Sequence, residues 1–224
     1  MSIREFRWLF LVVFAVVFFA SIVSEPITLG ASAQWSNGNY RFAGGTHPVA
    51  LLLATAIVGL YLLLMFSPLP TLGYPLPGVF RRFVAFWLDF ILALMVMGPA
   101  LGILPTLTEW RRTGNFQWNF ERTTYAPGDG WLVAAGIVLA AAALILYYAF
   151  PLLRGRPSPG ACITGYQIVP DKGATITAKV AILRTLLGFT ALSAWPLAPF
   201  IARDRKQGTF WIDRVFHTHA VKLT

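Results

Sequence analysis

Asp89 stands near the middle of FVAFWLDFILALMVMGPALGIL (Phe83 to Leu104), a stretch apolar enough and long enough to cross a bilayer. A carboxylate in such a helix costs about 2.5–3.5 kcal/mol on insertion-based scales, so it has to be neutral, paired or hydrated. Arg82 lies seven residues earlier, in the spacing R-x2-A-x3-D. Seven helical residues put both groups on one face but about 10.5 Å apart along the axis, marginal for a direct bridge. Asp89 therefore needs a partner from another helix or from water, and Arg184 and the Tyr147-Tyr148 pair are candidates. Left unpaired, a carboxylate at this depth binds a cation or carries a proton; paired, it holds segments together.

Other residue types that do chemistry are present in arrangements that do not support it. His217-x-His219 alternates as a metal pair on a strand would, but no carboxylate or cysteine cluster accompanies it, so it reads as a surface or core pair. His47 is a lone loop residue before Pro48. Ser158, before Pro159 and Gly160, reads as a turn residue with nothing nearby to activate it as a nucleophile. The one cysteine, Cys162, excludes an internal disulfide and any cysteine-based cluster. No phosphate-binding loop, dinucleotide fingerprint, zinc-protease or nucleophile-elbow pattern occurs. With no acid–base pair or metal set to assemble, the expectation is a non-enzymatic protein without a cofactor.

The elements that position Asp89 follow from composition. Of 224 residues 57% are hydrophobic and only 12% charged, about half the charged share of a soluble domain. Four stretches meet or approach the roughly 20 residues a spanning helix needs: Trp8 to Val23, Pro48 to Phe66, Phe83 to Leu104 and Trp131 to Leu153. Val180 to Ala202 is a weaker fifth, interrupted by Arg184, Pro196 and Pro199.

Positive charge sets the orientation, because Lys and Arg are retained on the cytoplasmic side of short loops. Fourteen of the eighteen Lys and Arg fall before the first span, between the second and third, after the fourth or in the tail. The other four, Arg41, Arg111, Arg112 and Arg122, lie in the opposite loops beside Glu25, Glu109, Glu121 and Asp129. Four spans with both termini cytoplasmic in the plasma (inner) membrane satisfy this distribution. A fifth crossing would put the five basic residues of the tail outside, so 180–202 reads as a re-entrant or interfacial helix. The net charge of +9 is then explained by loops next to spans. It points to anionic lipid headgroups of the bilayer, at about 1 kcal/mol per well-placed cation, and not to nucleic acid.

The chain divides into an N-terminal hairpin, 1–72, and a membrane domain, 73–224, across a linker of Pro68, Pro70, Gly73, Pro75, Pro77 and Gly78 that cannot continue a helix. Arg4 and Arg7, an apolar run and Ala31-Ser32-Ala33 also resemble a secretory signal; the segment is read as a retained anchor. The loop WSNGNYRFAGGTHP reads as irregular. Segment 156–177, with Pro170-Asp171-Lys172-Gly173 as its turn, reads as a small cytoplasmic β-hairpin. It feeds the 180–202 helix and then a basic tail, 203–224. The fold class is thus an all-α membrane protein: four transmembrane helices, a re-entrant helix and a small hairpin.

Arg82 through Asp89, the downstream R-x-S-P-G-x4-G-x3-V of 156–169, Arg184, and the closing Asp213-Arg214 together resemble the RDD family of membrane proteins, over about 75–224. That family is named for one arginine and two aspartates. The resemblance implies Arg82 and Asp89 for the first two and Asp213 for the third. It implies a membrane protein, with transport suggested, and no reaction. Ala161 stands where the family usually has lysine, and Ile212 precedes Asp213 where it has histidine.

Arg82, Asp89, Arg184 and Asp213 are expected to form a polar network that locks the re-entrant helix and tail against the bundle. The alternative makes Asp89 an ion-binding or titrating group. On the outer side, Trp110, Phe116, Trp118, Phe120 and Tyr125 alternate with charges and read either as an interfacial belt or as a docking surface, since aromatics and arginine dominate binding hot spots. Two functions follow. One is an accessory or assembly subunit packing against a larger membrane complex or another copy of itself. The other is a small oligomeric transporter of an ion or solute past Asp89.

Overall fold

The computed structural model describes residues 3–23, 30–36, 38–67, 72–73, 78–171, 176–193 and 211–223. Helices α1 (Ile3–Val23), α2 (Pro48–Phe66), α3 (Val79–Thr113) and α4 (Asp129–Leu153) carry most of the chain. Shorter helices are α5 (Pro159–Thr164), α6 (Ala178–Ser193) and α7 (Trp211–Val215). Among the described residues α2, α3 and α4 are long and apolar enough to cross a membrane. The expectation of a fourth span falls on α1, where the side chains of several residues near its end lie outside the description. The chain is therefore mostly helical with three candidate spans and small antiparallel sheets, a coarser statement than the four expected spans.

By contact the chain separates into two units. One comprises 1–11, 60–91 and 144–224; the other comprises 12–59 and 92–143.

In the first unit, Phe6, Phe10, Leu64, Met65, Cys162 and Ile163 form a buried cluster, and Ala85, Ala161, Tyr166 and Ala220 form another. A three-stranded antiparallel sheet in the order β3 (Leu72–Gly73), β6 (Thr218–Leu223), β5 (Tyr166–Pro170) lies here. Tyr166 faces Lys222 and Pro170 faces Thr218. This corrects the expected hairpin: β5 pairs with the distant C-terminal strand and not with the residues just after its own turn. A second correction concerns the first part of segment 156–177, expected to belong to the hairpin. Pro159 at the first helical position, its φ already suited to a helix, with Ser158 as N-cap and Gly165 in the left-handed conformation (φ 76°) as C-cap, makes 159–164 a one-and-a-half-turn helix. Helix α6 has 16 residues, short of a full crossing; the proline-containing remainder of 180–202 lies outside the described residues, as does most of the linker at 68–78.

In the second unit, Ile57 and Leu92 pack with Val13, Phe14, Leu53, Met95 and Val96. The loop expected to be irregular is β1 (Gly30–Ser36) paired with β2 (Asn39–Gly45), and β4 (Asn119–Arg122) adds to β2. The signal was present. Asn37-Gly38 is a favoured hairpin turn, Gly38 has φ 76°, and Tyr40 and Phe42 alternate inward between exposed Asn39 and Arg41. The outer loop also begins later than expected, because α3 runs through Pro99 and Pro105 to Thr113. The prolines withhold the N–H groups that would bond Met95 O and Leu101 O, and around Pro105 the hydroxyls of Thr106 and Thr108 add bonds to Gly102 O (2.8 Å) and Leu104 O (2.8 Å). Gly102 is required where α3 meets β2, since a Cβ there would strike the carbonyl of Gly45.

Candidate functional site

Asp89 is 2% exposed and has three donors. Ser158 Oγ donates to Oδ2 at 2.5 Å, Gly160 N to Oδ1 at 2.7 Å, and Tyr147 Oη to Oδ1 at 3.0 Å. The arrangement is a helix cap supplied from another segment. The first N–H groups of any helix lack internal acceptors. In α5, Ser158 Oγ accepts from Ala161 N, Pro159 has no N–H, and the N–H of Gly160 is met by Asp89. Glycine at 160 is dictated by the same approach, because an added Cβ would meet the Ala85 carbonyl and lie 2.8 Å from Asp89 Cγ. S-P-G and the aspartate 69 residues before its serine are therefore one structural unit: a capping serine, a residue without a donor, and one without a side chain.

Tyr147 is itself held in place. Its ring stacks on Tyr61 (centroids 5.1 Å apart), and Tyr61 Oη donates to Tyr147 O at 2.9 Å. Tyr148 turns to the other side, stacks on Phe86 and donates to Phe86 O at 3.0 Å. Of the partners expected for Asp89, then, Tyr147 is used, Tyr148 is not, and Arg184 goes elsewhere.

Arg184 meets Asp213. The Asp213 carboxylate is 1% exposed and lies between two guanidiniums: Arg82 Nη2 is 2.6 Å from Oδ2, and Arg184 Nη2 bonds Oδ1. Arg184 Nε also donates to Thr218 Oγ1 at 3.3 Å. Burial by itself would raise the pKa of Asp213. The charges of Arg82 and Arg184 and their hydrogen bonds outweigh it and hold the carboxyl below its usual value. The single network expected of four residues is thus two sites: Arg82, Arg184 and Asp213 come together, and Asp89 stands apart with neutral donors. The reason is geometric. Arg82 is two turns from Asp89 on the same helix, and α7 brings Asp213 within its reach. Burial pushes the neighbouring thiol of Cys162 up to about 12, so it stays protonated and unreactive.

The second unit holds an ionic cluster of its own, which sequence reasoning missed. Asp129 accepts from Tyr40 Oη at 2.5 Å, from Ala126 N at 3.1 Å and from Arg122, which also lies 3.3 Å from Glu109. Burial, reinforced by the bond to Asp129, pushes Tyr40 up to about 12. A cavity of about 130 Å³ lies alongside, between Phe42, Pro105, Phe120 and Leu132 and the charged groups of Glu109 and Arg122. Of the five aromatic residues expected to dock a partner, Trp110, Phe116 and Trp118 form an exposed edge-to-face chain. Phe120 turns inward onto Phe42 (5.9 Å), and Tyr125, 62% exposed, packs on Tyr40.

His219 Nδ1 lies 2.7 Å from Asp171 Oδ1, and His217 is the residue with positive φ that turns the chain into β6. Among the described residues no group of three or more His, Cys, Asp or Glu could hold a metal.

Three helices long and apolar enough to cross a membrane define a multi-pass membrane protein. Residues 76–215, including Arg82, Asp89 and Asp213, match the model of the RDD family. The chain belongs to the RDD family. No curated protein and no solved structure matches it.

Proposed function

We propose that this chain is a non-enzymatic accessory or assembly subunit, inserted in the inner membrane with both termini cytoplasmic, that packs against a larger membrane complex. One observation carries this reading: both carboxylate oxygens of Asp89 are engaged by fixed protein donors, Ser158 at Oδ2 and Gly160 and Tyr147 at Oδ1. A transported cation would have to displace a helix cap to reach the carboxylate. The exposed Trp110, Phe116 and Trp118 cluster supplies a rigid apolar surface for a partner. The anionic lipid surface is met by the basic loops.

The test is purification of the full chain by an affinity tag in mild detergent. The expected result is recovery with another membrane protein in fixed ratio, lost when Trp110 and Trp118 are replaced by serine. Recovery of the protein alone, together with cation-dependent flux in liposomes that Asp89→Asn abolishes while the fold persists, would establish the transporter instead.

A further inference from the structure

Arg156, two residues before Ser158, carries a charge that the described fold leaves uncompensated. Its Nε and Nη1 are buried and make no hydrogen bond. Its hydrogen bond comes from the backbone, Arg156 N to Pro151 O at 2.8 Å. Among the described residues the other half-buried arginines are paired: Arg82 and Arg184 with Asp213, and Arg122 with Asp129 and Glu109. A guanidinium with buried, unmet donors is costly unless an anion completes it.

Its surroundings specify the anion. Burial first, then the charge of Arg154, lowers the pKa of Arg156, so a second cation adds to the local positive potential. Arg154 is fixed by its position over the Phe66 ring, 5.0 Å from the centroid. Gln167 Oε1 is likewise buried without a donor, while its Nε2 holds Gly155 O at 2.6 Å, one residue from Arg156. The turn at Gly155 (φ 60°) thus gathers unmet donors, an unmet acceptor and two cations. All of this sits immediately after α4 ends at Leu153, where a spanning helix leaves the hydrocarbon for the phosphate layer. Planar guanidinium donors match a tetrahedral oxyanion, and an O–H on the same ligand would serve Gln167.

We propose that Arg156, assisted by Arg154, binds a phosphate group carrying a nearby hydroxyl, as in a glycerol-headgroup anionic phospholipid or in free hydrogen phosphate. The site is independent of whether the protein is an accessory subunit or a transporter.

The experiment uses the full chain. Thermal unfolding is followed in detergent with sodium phosphate against sodium chloride at equal ionic strength, and in nanodiscs of phosphatidylglycerol against phosphatidylcholine. The wild type is expected to be stabilised by one of the two phosphate sources, with apparent affinity falling about tenfold in Arg156→Gln, the loss of one charge-assisted contact. Lys222→Gln, which removes an exposed charge, should leave the response unchanged. In chloride and neutral lipid the order should reverse: Arg156→Met unfolds at a higher temperature than the wild type because an uncompensated charge has gone. A response to dissolved phosphate assigns the free anion, and one confined to phosphatidylglycerol assigns the headgroup. Equal responses in wild type and Arg156→Gln, or none in either medium, would overturn the proposal. Arg156→Lys, which keeps the charge and loses the fork, provides a second variant; it should respond more weakly than the wild type.

Discussion

Asp213 and Asp129 are both nearly inaccessible carboxylates that meet arginine, yet they are built differently. Asp213 lies between two guanidiniums from α3 and α6, drawn from positions 131 and 29 residues away, counting to Arg82 and Arg184. Asp129 takes its arginine from only seven residues away and its one distant tie from a neutral tyrosine, Tyr40. Removing one member has different consequences. At Asp213 it removes the carboxylate that two buried guanidiniums share. At Asp129 the arginine keeps Glu109. Spanning helices have little hydrophobic drive to associate, because lipid is as apolar as the helix faces, so polar contacts carry more of the specificity. The long-range contacts join α3 and α6 to the C-terminal segment alongside the β5–β6 ladder, while the short-range one shapes a loop.

The comparison predicts a graded series. Asp213→Ala should have the largest effect, about 3–5 kcal/mol of destabilisation from leaving buried charges unpaired, measured by unfolding in detergent and by protease sensitivity of the C-terminal segment. A second Arg82→Met, Arg184→Met exchange on that background should recover part of the loss; no recovery would show that the carboxylate acts by packing alone. Gly160→Ala comes next, at about 1–3 kcal/mol for a methyl forced against the Ala85 carbonyl and Asp89. Asp129→Asn should cost about 1–3 kcal/mol, and should relax the loop at 122–129 without exposing the C-terminal strand to protease. Smaller again, Tyr40→Phe should cost about 1 kcal/mol for one hydrogen bond. Arg41→Ala, which breaks an exposed pair with Glu121, should leave unfolding unchanged.

Acidity acts on both sites, since burial at Asp129 is overcome by hydrogen bonds from Tyr40, Arg122 and the Ala126 N–H, which hold that carboxyl below its usual value as well. The pKa of Asp213 is lowered in the folded chain, so its contribution is present above the ordinary carboxylate value of about 4 and is lost as pH falls through the folded value. Acid unfolding of the wild type should steepen below that point, and Asp213→Asn should be less stable at neutral pH and flatter in acid. A variant that keeps the wild-type acid slope would remove Asp213 as its source.

Much of this was legible. Apolar runs of spanning length require helices whatever surrounds them, and α2, α3 and α4 lie where those runs do. Asp89 was marked by cost alone, since few features of a sequence announce themselves as clearly as a carboxylate among twenty apolar residues. Arg184 was marked the same way and placed in one network with both aspartates; that it meets Asp213 and not Asp89 was beyond reach, because spacing along a chain does not give direction across a bundle. Ser158 and Gly160 looked like a turn. Their N-cap chemistry was readable, but the acceptor that completes it comes from 71 residues before Gly160. The hairpin at β1–β2 was a missed local signal, and its fold did not depend on distance at all.

Composition and periodicity by themselves settled that the chain enters a membrane, where its long helices lie and which polar groups must find partners, because lipid penalises every unmet charge. Which groups meet was decided only by tertiary structure. Arg82 and Arg184 converge on Asp213, Asp89 caps a helix, and β5 pairs with the end of the chain, since hydrogen bonds and ion pairs act over about 3 Å and proximity in space is not written in any local pattern.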